Sequence, residues 1–131
     1  MTKENSQKDG LKIGDKAADG WIYGGISKDS GQPMWVAPAD EGVMDWEAAN
    51  NRIPGGNVRL PSRGELRQIF KNAASIGGFN QASGSPTSQY WSSDPVPDGD
   101  EIAYIQSFFS GGQRRNWKDI GESASVRYVR N

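Results

Sequence analysis

The sequence contains no cysteine and no histidine among its 131 residues. Without cysteine there is no disulfide, no thiolate nucleophile and no zinc finger. Without histidine, a Ser-His-Asp arrangement and an imidazole general base are excluded as well. Carboxylate, lysine, tyrosine or serine chemistry, or an oxygen-ligated hard cation, is what remains. A chain without cysteine suits reducing and oxidising compartments alike, so the compartment stays open. An excess of charge of either sign is missing too: 15 Lys and Arg stand against 16 Asp and Glu, a net charge of -1. With a pI of about 5.4, bulk affinity for nucleic acid is not expected. Long apolar runs are absent. The first ten residues are polar throughout and lack the ~7 to 15 apolar residues of a secretory leader, and nothing is long enough to span a membrane. The expectation is a chain that is intracellular, that is exported or surface-displayed by association, or whose leader has been trimmed.

Aliphatic residues are scarce as well. Leu, Ile, Val and Phe number 22, about 17% of the chain, below the ~20% line under which highly charged chains are read as disordered. The balanced charge removes the self-repulsion that such disorder requires. Five Trp, four Tyr and four Phe supply the core, since each ring buries ~150 to 250 Å². With 17 Gly and 7 Pro, this reads as one small, turn-rich domain built on aromatic packing, preceded by a flexible arm over residues 1–16 that docks through Leu11 and Ile13.

Two β-rich stretches, 21–27 and 32–37, flank Lys28-Asp-Ser-Gly31 and predict a hairpin. Asp45 followed by helix formers predicts a short helix to residue 50. Ser62 and Glu65 stand at capping-box spacing, and Leu66, Ile69, Phe70 and Ala73 then recur on one helical stripe, which predicts a helix ending near Gly77 and Gly78. Beyond residue 79 the pattern returns to strands. Tyr90-Trp-Ser-Ser93 is short, residues 94–101 form an acidic loop, residues 102–109 make the strongest strand, Ser110-Gly-Gly112 turns it, residues 113–118 return, and 125–130 close the chain. Hairpin, two helices, then strands with long irregular loops is α+β.

Five blocks in order carry a resemblance over nearly the whole chain: Trp46, Arg59-Leu-Pro-Ser-Arg-Gly-Glu-Leu66, Tyr90-Trp-Ser-Ser93, Ala103-Tyr104 with Phe108 and Gly111, and Val126-Arg-Tyr-Val-Arg130. Together they resemble the Lcl C-terminal-domain family, which is similar to the C-type lectin-like fold of formylglycine-generating-enzyme-like domains and of diversity-generating retroelement variable proteins. The resemblance implies a C-type lectin-like domain over 17–131 with mixed and antiparallel sheets and adjacent termini. It implies a non-enzymatic binding module. Two departures narrow it. Tyr128 stands where family members often carry Cys, and the oxidase cysteines are missing. The Glu-Pro-Asn or Gln-Pro-Asp signal of calcium lectins is absent, and Asn116-Trp117-Lys118 does not supply their Trp-Asn-Asp.

In the retroelement variable proteins the positions matching the 102–109 strand and its return are the displayed ones. Alternation puts Tyr104, Gln106 and Phe108 on one face and Ile105, Ser107 and Phe109 on the other. The resemblance makes the Phe108 side structural, so Ile105, Ser107 and Phe109, with Arg114, Arg115, Asn116 and Trp117 on the return, form the candidate ligand-binding set. Aromatic area with Arg anchors is the composition of a protein interface. The alternative is that Ile105 and Phe109 are core on both sides of a central strand and that Arg114 and Arg115 only solvate a turn. The expected ligand is a protein or cell-surface molecule; a glycan or polyanion meeting Arg114, Arg115 and Lys118 is the rival, as in collagen-like adhesins. Asp94, Asp98, Asp100 and Glu101 hold enough oxygens for calcium, but the spacing is not that of an EF-hand and a solvated loop is the plainer reading. No cofactor is expected otherwise. Arg59, Arg127 and Arg130, with Trp21, Trp35, Trp46 and Trp91, are assigned to the scaffold. Oligomerisation stays open.

Overall fold

The computed structural model describes residues 11–81, 88–96, 99–117 and 123–131. Along the described residues run β1 (Ile22–Ile26), β2 (Pro33–Val36), β3 (Gly42–Met44), α1 (Trp46–Asn51), β4 (Val58–Arg59), α2 (Arg63–Lys71), α3 (Ala73–Ile76), β5 (Gln89–Val96), β6 (Gly99–Ser107), β7 (Gln113–Trp117), β8 (Ala124–Val126) and β9 (Val129–Arg130). They form two sheets, ordered β1-β2-β9-β4 and β3-β8-β5-β6-β7. All pairs are antiparallel except β5 with β8. The class is α+β.

Local signals account for the helix starts. Asp45 accepts the Ala48 N–H at 2.8 Å to open α1, and Ser62 and Glu65 form a reciprocal capping box that opens α2. The helix expected to run to residue 76 is two helices, so there are three rather than two. Asn72 ends α2 and its side-chain amide donates back to the Gln68 carbonyl at 3.0 Å; α3 then stops at Gly77, whose φ is +83°.

The closing segment also differs from expectation. One strand over 125–130 is predicted; the chain instead places β8 in one sheet and β9 in the other, with Arg127 and Tyr128 at the crossing. Both are buried. The Arg127 guanidinium donates to the carbonyls of Ala37 and Gly77, each at 2.8 Å, and lies over the Phe79 ring at 4.3 Å. The Tyr128 hydroxyl donates to the Ala49 carbonyl at 2.6 Å. Long-range partners, which local pattern does not encode, hold this sheet-switching corner in place.

Of the segment 1–16 expected as an arm, residues 11–16 are described and bond to β1. Gly14 N–H donates to the Tyr23 carbonyl, Tyr23 N–H to the Asp15 carbonyl, and Lys16 bridges Ile22, so residues 11–16 belong to the domain. Residues 1–10 lie outside the described residues.

Two cores sit on either side of β5 and β6. One gathers Ile22, Met34, Val36, Leu66, Ile69, Tyr90, Phe108 and Val129 between the first sheet and α2. The other gathers Leu60, Trp91, Ala103, Ile105, Val126 and Tyr128 toward α1. Of the four tryptophans assigned to the core, Trp91 alone is fully buried, while Trp21, Trp35 and Trp46 are half-buried. Trp21 packs under the Arg130 guanidinium at 4.3 Å, and the Trp46 indole N–H donates to the Ser92 carbonyl at 2.9 Å. Large amphipathic rings keep one edge in solvent this way.

The acidic loop is largely strand. β5 continues through Val96 and β6 begins at Gly99, with Pro95 paired to Ala103 where the register shifts. A register irregularity is where a strand tolerates proline. The side chains of Asp94, Asp98, Asp100 and Glu101 lie outside the described residues, as does the proposed Lys118 contact.

Candidate binding site at the β6–β7 turn

The turn between β6 and β7 is held by side-chain caps as well as by the ladder. Ser107 Oγ accepts the N–H groups of Phe109 at 3.2 Å and Ser110 at 3.0 Å. Gly111 N–H donates to the Ser107 carbonyl and Ser107 N–H to the Gly112 carbonyl. From below, the buried Gln106 amide donates to the Gly111 carbonyl at 2.7 Å and accepts from Gln113 at 2.8 Å. Gln113 in turn donates to the Arg63 carbonyl and accepts from Arg63 and Arg67, tying the hairpin to α2.

Gly111 makes the close approach possible. Its φ is +86°, and a Cβ there would sit 2.9 Å from the Phe70 ring. Phe70, Phe79, Tyr90 and Phe108 interlock beneath it, with Phe108 at 4.6 to 5.4 Å from the other three ring centres. Phe109, one residue on, is 60% exposed.

Beside Phe109 lies a cavity of about 330 Å³ lined by Ser88, Gln89, Ile105, Ser107, Phe109, Ser110, Gly112, Gln113 and Arg114. The Arg114 guanidinium donates to the Gln89 side-chain oxygen at 3.1 Å across it. Among the described residues its lining offers hydroxyls, amides and one cation. Ser107 Oγ already accepts two backbone N–H groups.

Four of the seven expected site residues thus meet at one cavity: Ile105, Ser107, Phe109 and Arg114. Ile105 is a correction, because it is 1% exposed and belongs to the second core; it forms cavity floor rather than displayed surface. β6 is covered from both sides at its centre, so alternation there does not separate core from solvent. The backbones of Arg115, Asn116 and Trp117 continue β7 opposite Tyr104, Ala103 and Ile102, and their side chains lie outside the described residues. Trp117 stands at the far end of β7, about 14 Å along the strand from Gln113 at ~3.4 Å per residue. Ser88, Gln89 and Gln113 were not singled out by sequence. Gln113 was legible only through the hairpin register that sets it against Gln106.

No family model and no curated protein matches this chain. Several residues of the five sequence blocks make packing contacts. Arg59 pairs bidentately with Glu65 at 2.6 and 2.8 Å, and Glu65 also accepts the Ser27 hydroxyl at 2.5 Å and the Ser62 N–H at 2.9 Å. Burial alone would raise the Glu65 pKa, but these donors outweigh it and lower it. The Trp91 indole N–H donates to the Met44 carbonyl at 2.8 Å. Tyr90 donates its hydroxyl proton to Asp40 at 2.6 Å; burial, then this bond, raise the tyrosine pKa. Burial likewise raises that of Asp40. These shifted groups serve packing and lie outside the cavity lining.

Among the described residues no group of three or more acidic, histidine or cysteine side chains is placed to hold a metal, and no helix is long and apolar enough to cross a membrane.

Proposed function

We propose that this chain is a non-enzymatic binding module of C-type lectin-like fold that presents the β6–β7 turn to a protein or cell-surface ligand. One observation carries the reading: Phe109, a large apolar ring, is exposed on a turn whose backbone is fixed by Ser107, Gln106 and Gly111. A ring carried on a fixed backbone costs little backbone ordering on binding, which suits an interface anchor. The adjoining cavity adds hydroxyl, amide and guanidinium groups for polar contacts. The finer fold assignment draws support from β9 pairing with β2 beside β1, and from Arg130 reaching Asp19 at 2.7 Å, which brings the first and last strands into one sheet.

The test is capture from cell-surface and lysate fractions by the wild-type chain and by Phe109→Ser, at low and physiological salt. An aromatic protein contact predicts loss of capture in the variant and little dependence on salt. Capture that survives the substitution but falls steeply with salt would favour the polyanion reading instead.

A further inference from the structure

We infer that the outer edge of β7 takes up an extended, acidic peptide segment of a partner protein as an added strand of the larger sheet. β7 ends the order β3-β8-β5-β6-β7, and among the described residues no strand pairs with its outer side. The hydrogen bonds at the hairpin end fix which backbone groups face outward. Ser107 N–H donates to the Gly112 carbonyl, and Phe108 N–H to the Ser88 carbonyl on the other side of β6. With Ile105 opposite Arg114 and Ala103 opposite Asn116, the alternation of an antiparallel ladder turns the backbone groups of Arg114 and Asn116 toward β6. Those of Gln113, Arg115 and Trp117 therefore point away from the sheet, along about 14 Å at ~3.4 Å per residue.

The other sheet edges are covered or short. Residues 14–16 lie along β1, where Gly14 N–H donates to the Tyr23 carbonyl and Lys16 bridges Ile22, and the Gln68 amide donates to the Ile26 carbonyl at 2.7 Å. β4 has two residues and β3 three, whereas β7 has five. An edge of that length is a template for a further strand. It is also preset, because the Gln113 side chain donates to the Arg63 carbonyl at 2.9 Å and to the Gln106 side-chain oxygen at 2.8 Å, and Arg114 donates to Gln89 at 3.1 Å. Ordering it on binding costs little.

Charge selects the occupant. From Ile102 to Lys118 the sequence holds no Asp or Glu and carries Arg114, Arg115 and Lys118. Arg63 and Arg67 reach the same strand through Gln113. A second copy of β7 is disfavoured, since the antiparallel register that uses all three outward residues sets Arg115 opposite Arg115, and like charges directly opposite destabilise a sheet. A strand with carboxylates at alternate positions meets this edge with the opposite charge. Its main chain matches the outward N–H and C=O groups, and its side chains supply specificity. The strand addition rests on the reading of the β6–β7 hairpin as the ligand-facing element, and Arg114 lines the same cavity as Phe109.

The experiment is amide hydrogen exchange of the full chain, free and with a capped peptide alternating glutamate and valine. In the free chain the amides of Arg114 and Asn116 should exchange slowly and those of Arg115 and Trp117 fast. The peptide at about ten times its Kd should slow the amides of Gln113, Arg115 and Trp117 about tenfold. A lysine-valine counterpart should not protect them, and a fully N-methylated glutamate-valine peptide, which keeps the charge and lacks N–H donors, should not bind. Arg115→Pro removes an outward N–H without breaking the ladder to β6, and Arg115→Gln removes only the charge; a thermal transition confirms that each is folded. Peptide binding should be about tenfold weaker in Arg115→Pro than in Arg115→Gln. Slow exchange of Arg115 and Trp117 in the free chain overturns the inference, as does protection by the lysine peptide, binding of the N-methylated peptide or equal affinity of the two folded variants. Loss of capture in Phe109→Ser beside a β7 edge that the glutamate peptide leaves unprotected overturns the strand addition alone. Protection of that edge beside undiminished capture by Phe109→Ser supports it and overturns the aromatic anchor.

Discussion

Phe108 and Phe109 are neighbours in sequence with opposite environments: Phe108 is 1% exposed inside an aromatic cluster, and Phe109 is 60% exposed on the turn above it. The buried ring anchors the turn, and the hydroxyl of Ser107 sets the backbone that presents the exposed one. Ligand-facing and structural roles divide between two adjacent residues.

Phe109→Ser should leave stability within about 0.5 kcal/mol, as for other exposed positions away from packed features. Ser107→Ala removes the shared acceptor of two N–H groups and should destabilise by about 1 kcal/mol. Chemical denaturation of both variants checks this. An unfolding midpoint that falls strongly for Phe109→Ser would place the ring in the core.

Ile105 behaves oppositely. Its truncation to Ala should cost about 2 to 5 kcal/mol, the range for a buried aliphatic side chain, with capture by the surviving folded fraction retained. The same denaturation series, scored beside capture, separates the floor of the cavity from its rim.

Gly111→Ala combines an unfavourable positive φ with a Cβ 2.9 Å from Phe70. The substitution should destabilise by more than about 1 kcal/mol and shift the amide resonances of residues 107–113. An unperturbed thermal transition would show that the turn is looser than its hydrogen bonds imply.

The acid limb of the stability curve should be governed by Glu65. Its carboxyl titrates below the ordinary value of 4.5 in the folded state, so its contribution is present above that value and is lost as pH falls through the folded pKa. Asp40, raised above 3.8 chiefly by burial, works the other way: its contribution is present at low pH and is lost as pH rises through its folded pKa. Glu65→Gln should therefore flatten the loss of stability below pH 4.5, while lowering stability at neutral pH by about 1 to 3 kcal/mol through the lost charge-assisted hydrogen bonds. Asp40→Asn should steepen the same limb. Thermal transitions measured across the acid range distinguish the two.

What was legible in the sequence was local. Ser62 and Glu65 mark the start of α2 because a capping box is complete within four residues; the β1–β2 hairpin and the glycine turn after Phe108 are likewise short-range. The split of the last strand was hidden because the sequence marks Arg127 as scaffold but not its partners: Ala37, Gly77 and Phe79, which hold the corner, are 48 to 90 residues away. Ile105 was ambiguous for a related reason: strand alternation separates two faces but does not reveal that both are covered. Phe109 carried the same ambiguity; the strand expected to run to residue 109 ends at Ser107, so the ring lies on the turn, 60% exposed. Gln89 meets Arg114 only through the packing of β5 on β6, a pairing with no sequence signal.

The most direct test of the binding account compares two exposed apolar residues at equal stability. Val43 is 42% exposed on β3, the edge of the five-stranded sheet opposite β7. With the captured partner isolated, its Kd is measured for wild type, Phe109→Ser and Val43→Ser, each shown to be folded. The account predicts at least about tenfold weaker binding for Phe109→Ser, the loss expected on removing a central aromatic anchor, and no change for Val43→Ser. Unchanged affinity for Phe109→Ser, or the same loss in both variants, would contradict it.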